Sequence, residues 1–117
     1  MADLDGDVDF GTSSYNIRTK KIDVRGEVDM RTAPKLREQI QAAIGKKPQV
    51  IVINLSAVTR MDSAGVAVLV EGIQLARKEK IILSLQDVSK PAQSVLEMAR
   101  VDKLFQVSGN NYVPPLK

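Results

Sequence analysis

Two neighbouring stretches, Val50-Ile51-Val52-Ile53-Asn54-Leu55-Ser56 and Met61-Asp62-Ser63-Ala64-Gly65-Val66, leave a chain of this length few ways to fold. The first is an unbroken run of apolar, mostly β-branched residues. It predicts a strand buried on both faces, within a sheet that carries other layers. The second puts Asp, Ser and Gly directly ahead of a long apolar segment, and Asp and Ser accept the free backbone N–H groups at a helix start. Val66, Leu69, Val70, Ile73 and Ala76 then fall at helical spacing, with Glu71, Gln74, Arg77 and Lys78 opposite, which predicts a helix over Ser63–Lys78. Arg77 and Lys78 suit its negative pole. A strand–loop–helix unit therefore presents Ser63 at the surface, beside the positive end of a helix dipole, where a phosphate on its hydroxyl is electrostatically welcome.

The rest of the chain supplies further layers. Residues 1–14 are polar and turn-rich and read as an acidic, flexible tail ahead of a domain over residues 15–117. Residues 15–24 alternate weakly around Arg18-Thr19-Lys20-Lys21 and read as a β-hairpin, closed by a loop at Gly26-Glu27-Val28-Asp29. Thr32 is the expected N-cap of a helix with Pro34 in its first turn. Leu36, Ile40, Ala43 and Ile44 form its buried face, and Gly45 its end. After the central strand and the Ser63 helix, residues 80–85 form another short strand. Ser89 and Pro91 then start a third helix that buries Ala92, Val95, Leu96 and Ala99. Residues 104–107 add a last edge strand or docking segment, and Pro114-Pro115 ends regular structure. Strands alternating with helices predict a single α/β domain, a central mixed sheet of four to five strands with helices packed on it.

Composition excludes most chemistry. With no histidine, a serine nucleophile at Ser63 lacks the usual base, and Met61 breaks the G-x-S-x-G pattern at its first glycine. Gly45-Lys46-Lys47 lacks the rest of a phosphate loop, and no G-x-G-x-x-G occurs. Asp23, Asp29 and Asp62 read as caps and turn formers rather than as metal ligands. Asp3, Asp5, Asp7 and Asp9 resemble the early positions of a calcium loop, but Val8 stands at the turn-glycine position and Ser14 at that of the bidentate Glu. No metal, cofactor or catalysis is expected. Those four Asp belong to the 14 acids of the chain, and residues 1–14 hold no Lys or Arg. The ten remaining acids thus face all 17 cations, and a net +3 becomes +7 on the body. The four aromatics do not interleave with these cations as nucleic-acid binding requires, so the charge reads as surface solvation. No apolar run approaches the ~20 residues of a membrane span, and the N-terminus lacks a basic-then-apolar signal pattern. With cysteine absent, a cytoplasmic location is expected. From the residues alone, Ser63 is either a plain helix cap or a regulated one.

Asp62-Ser63-Ala64-Gly65, with Val52-Ile53-Asn54-Leu55-Ser56 before it and residues 66–77 after it, resembles the signature of the STAS domain. Gly26-Glu27-Val28-Asp29 resembles the G-x-hydrophobic-D loop before the first helix of that family, and residues 82–85 and 91–105 follow in the expected order. The similarity spans about residues 15–108. The family contains the bacterial anti-sigma factor antagonists, which implies a role in transcription regulation by partner switching. Ser63 matches the serine phosphorylated in such antagonists, and Asp29 and Asp62 match acidic residues beside it. The partner-binding residues so implied are Asp29, Asp62, Ser63, Ala64, Gly65 and Val66. The implied partners are an anti-sigma factor that is itself a serine kinase, bound when Ser63 is unmodified, and a phosphatase that restores the unmodified state. Asn54 departs from the Asp that many members carry there. Other small STAS proteins resemble the chain through Gly65-Val66-Ala67-Val68-Leu69 and Gln74-Leu75-Ala76-Arg77-Lys78. These serve as accessory subunits of ABC lipid transporters, where the same surface grips an ATPase without phosphorylation. A homodimer through an exposed sheet edge stays open.

Overall fold

The computed structural model describes residues 17–115. Strand β1 (Thr19–Val28), helix α1 (Ala33–Gly45), strand β2 (Val50–Met61), helix α2 (Ser63–Lys78), strand β3 (Ile82–Gln86) and helix α3 (Lys90–Met98) alternate. A short 3-10 turn (Val101–Leu104) and a terminal hairpin of β4 (Gln106–Ser108) and β5 (Asn111–Val113) complete the order. The five strands form one sheet in the order β1-β2-β3-β5-β4. The first three are parallel and the last two antiparallel, so the sheet is mixed as expected. The acidic stretch from Asp3 to Asp9, with its calcium-like spacing, lies outside the described residues.

The expected N-terminal hairpin is instead one ten-residue strand. Arg18-Thr19-Lys20-Lys21 contains none of the Gly, Asn, Asp or Pro that a tight turn uses. An edge strand accepts such cations, and β1 is an edge. Gly26-Glu27-Val28 also belongs to the strand rather than to a loop. The register shifts between Gly26 and Glu27, and Gly26 adopts φ +76, which absorbs the irregularity.

The central strand also differs from expectation. Ile51, Ile53 and Leu55 are wholly buried, while Val50, Val52 and Asn54 are only half-buried. In register, Val52 lies between Lys21 and Ser84, and Val50 between Thr19 and Ile82. Neighbouring strands thus flank these residues on both sides, yet the alternate face of β2 that they form is less deeply covered than that of Ile51, Ile53 and Leu55. The buried side chains of β1, β2, β3 and β5 join those of the three helices in one core. There α1 packs against α2, and α3 against β2. Parallel pairing brings the first turns of α1 and α2 to one end of the sheet, where β1 and β2 finish.

Candidate functional site

At that end Val28 and Met61 face each other across the last rung of the β1–β2 ladder. The Asp62 N–H donates to the Val28 carbonyl at 3.0 Å, tying the loop before α2 to the end of β1. A Cβ on Gly65 would stand 2.7 Å from Val28 Cγ1, 3.1 Å from Met61 Cγ and 3.2 Å from Val28 O. Only glycine permits so close an approach of helix to strand.

Asp62, not Ser63, caps the helix. Its backbone is extended and its Oδ1 accepts from the Ala64 N–H at 2.9 Å and the Gly65 N–H at 3.4 Å. Ser63 occupies the first helical position, is exposed, and has no hydrogen-bond partner for its hydroxyl among the described residues. Ala64 is half-buried, whereas Gly65 and Val66 are buried and hold the turn on the core. Of the residues matched to a partner surface, Gly65 and Val66 therefore support it from beneath.

Asp29 lies one residue beyond Val28. Its carboxylate accepts from the Arg31 backbone N–H at 2.9 Å and from Arg31 Nη2 at 2.7 Å, and Arg31 Nη2 also donates to Glu27 at 2.8 Å. The Arg31 guanidinium, aided by backbone donors, holds the Asp29 carboxyl down to about 2. Asp29 is thus an ionised, ion-paired group that shares the Arg31 guanidinium with Glu27. Thr32 precedes α1 as expected, but its hydroxyl does not cap the helix. It donates to the Glu27 carbonyl at 2.8 Å and accepts from the Asp29 N–H at 3.0 Å, locking the loop.

Comparison with known proteins adds the decisive observation: residues 14–107 match the family model described as "Mlab, STAS domain". The chain belongs to the STAS domain family. An "Anti-sigma-B factor antagonist" of Listeria monocytogenes is 31% identical over 94 residues, covering 80% of this chain and 75% of that protein. The crystal structure of an anti-sigma factor antagonist from Mycobacterium paratuberculosis superimposes with a TM-score of 0.70 at 28% identity, covering 78% of this chain and 77% of that one. A sulfate transporter family protein from Wolinella succinogenes, at 20% identity, TM-score 0.64 and 82% and 80% coverage, shares the fold.

Within this STAS domain Asn54 belongs to a separate network. Its Oδ1 accepts from the Ser56 N–H at 2.9 Å and the Ser56 hydroxyl at 2.6 Å, while its Nδ2 donates to Asp87 at 3.3 Å. An ionised Asp could not make that last donation. Sequence reasoning passed over Met30, which is 77% exposed between Asp29 and Arg31. Its signal was an apolar residue in a turn, with no periodic partner. Arg31 was also missed, because its role depends on loop geometry. Among the described residues no helix is long and apolar enough to cross a membrane.

Proposed function

We propose that this STAS domain is a non-catalytic anti-sigma factor antagonist switched at Ser63. Unmodified, it binds an anti-sigma factor of the serine-kinase type through Asp29, Met30, Asp62, Ser63 and Ala64, with Gly65 and Val66 holding that surface from beneath, and so frees a sigma factor. Phosphorylation of Ser63 ends that binding, and a phosphatase reverses it. A cytoplasmic location goes with this reading. The observation that carries it is the division of labour at the start of α2. Asp62 supplies the cap, so the exposed Ser63 hydroxyl is not needed for helix stability. The named relatives support the partner class. Met30 adds an apolar contact within a polar rim, as interaction sites commonly have.

A phosphate would add about −1.5 to −2 charges at a contact surface that already contains Asp62. The dipole of α2 stabilises that charge within the domain, so the fold persists while the interface fails. The test is affinity capture from native cells with the Ser63→Ala variant as bait and Ser63→Asp alongside. Recovery of a serine kinase by the alanine variant and not by the aspartate variant is expected. Recovery of a transporter ATPase equally by both would overturn the switch in favour of an accessory subunit.

A further inference from the structure

A cleft of about 740 Å3 opens at the opposite end of α2, roughly 20 Å from Ser63 along the helix axis. Ile73 and Ala76 of α2, Leu83 of β3 and Phe105 form its walls, and Ile82 and Pro114 stand at its mouth. Every one of these side chains is apolar, and Ile82 leaves 52% of its surface in solvent. The polar groups of the lining are two cations, Arg77 and Lys80. A cleft of that volume, apolar within and bearing a few convergent charges, has the character of a small-molecule site rather than a packing fault.

Of the two, Arg77 is tethered. Arg77 Nη2 donates to the Leu104 carbonyl at 3.4 Å, and among the described residues no carboxylate pairs with it. Lys80 adopts φ +61 just past the end of α2, a conformation at which helices ordinarily place glycine. Lys47 and Arg100 take the same conformation past α1 and α3, and at Lys80 the side chain lines the cleft. The cations stay available for a ligand although they suit the negative pole of the helix, because its last carbonyls have backbone partners of their own. The carbonyls of Leu75, Ala76 and Arg77 already accept from the N–H groups of Glu79, Ile81 and Lys80. Glu79, between the two cations, is drawn towards Lys47 at 3.8 Å.

We propose that this cleft binds a single-chain anionic amphiphile of the fatty-acid class, its alkyl chain between Ile73, Leu83 and Phe105 and its carboxylate at Arg77 and Lys80. The site is independent of the Ser63 surface and does not rest on the antagonist reading. The test is titration of the full chain with sodium decanoate, followed by calorimetry and by methyl NMR of Ile73, Ile81 and Leu83. Saturable one-site binding that shifts those methyls is expected. The Arg77→Gln/Lys80→Gln double variant should bind about tenfold more weakly or worse, because charge-assisted hydrogen bonds are lost. Uncharged decanol should lose affinity for the unaltered protein to a similar degree, a comparison that needs no variant to fold. Ser63→Asp should leave decanoate affinity unchanged. Absence of saturable binding, equal affinity for decanoate and decanol, or undiminished binding by the double variant would each overturn the proposal.

Discussion

Replacing Gly65 by alanine probes the contact that seats Ser63. The new Cβ would lie 2.7 Å from Val28 Cγ1 and 3.2 Å from Val28 O, and the carbonyl is fixed by its bond from Asp62. Val28 and Met61 are themselves in the core, at 2% and 5% exposure, so neither can swing into solvent. Overpacking of this kind costs about 1–3 kcal/mol. Gly-to-Ala in a helix returns at most about 1 kcal/mol. The expected net loss is about 1–2 kcal/mol, and Tm falls by roughly 5–10 °C. Two other helical glycines calibrate the result. At Gly72 the nearest atoms, Ile40 Cγ2 at 3.0 Å and Cδ1 at 3.3 Å, lie farther off and include no backbone atom, so a shift of a few tenths of an ångström relieves them, and cost and gain should cancel to within about 0.5 kcal/mol. At Gly45 nothing lies within 4 Å, so alanine should stabilise by about 0.5–1 kcal/mol. Urea unfolding should therefore rank Gly45→Ala highest, Gly72→Ala near the unaltered protein and Gly65→Ala lowest. A Gly65→Ala midpoint at or above that of the unaltered protein would refute the steric argument.

Asp62→Ala should cost about 1 kcal/mol through the lost cap, whereas Asp62→Asn should cost only a few tenths, as thermal melts would show. Asp29 has its folded pKa at about 2, below its ordinary 3.8, so its stabilising contribution is complete above the higher value and disappears as pH falls towards 2. Arg31→Gln should raise the Asp29 midpoint in an NMR titration and reduce that acid dependence, the backbone donors of residues 31 and 32 remaining. Tyr112 is wholly buried and its hydroxyl has no hydrogen-bond partner among the described residues, so Tyr112→Phe should leave stability unchanged or raise it by about 1 kcal/mol in urea unfolding.

Helical features near unambiguous residues were legible in the sequence. The bounds of α2 agree with its apolar spacing. Pro34 falls in the first turn of α1, and Ser89 caps α3 by accepting from the Ala92 N–H. The α/β class followed from the alternation of elements. What failed depended on distant partners. Lys20 and Lys21 look like a turn until β2 is known to lie beside them. Val50 and Val52 look fully buried in the sequence, but only the alternate face of β2, with Ile51, Ile53 and Leu55, is. The pairing of β5 between β3 and β4 was not visible in Asn111-Tyr112-Val113, where only Tyr112 faces the core. The position of Ser63 at the exposed start of α2 was legible from its neighbours in sequence, but the choice between Asp62 and Ser63 as cap is a matter of backbone geometry one residue wide.

Ladder bonds hold β2 on both sides from Val50 to Asn54, and on to Met61 the strand stays paired with β1. Amides in such a strand exchange with solvent only when much of the domain opens. Binding loops are commonly drawn from the parts of a protein that open most easily, but here Ser63 stands two residues beyond the end of this strand. Any enzyme that reaches the serine meets a surface assembled from Asp29 and Asp62 together, fixed by Val28 beneath them. A linear peptide spanning residues 58–68 would carry the same letters without that surface, and should be a poor substitute for the folded domain.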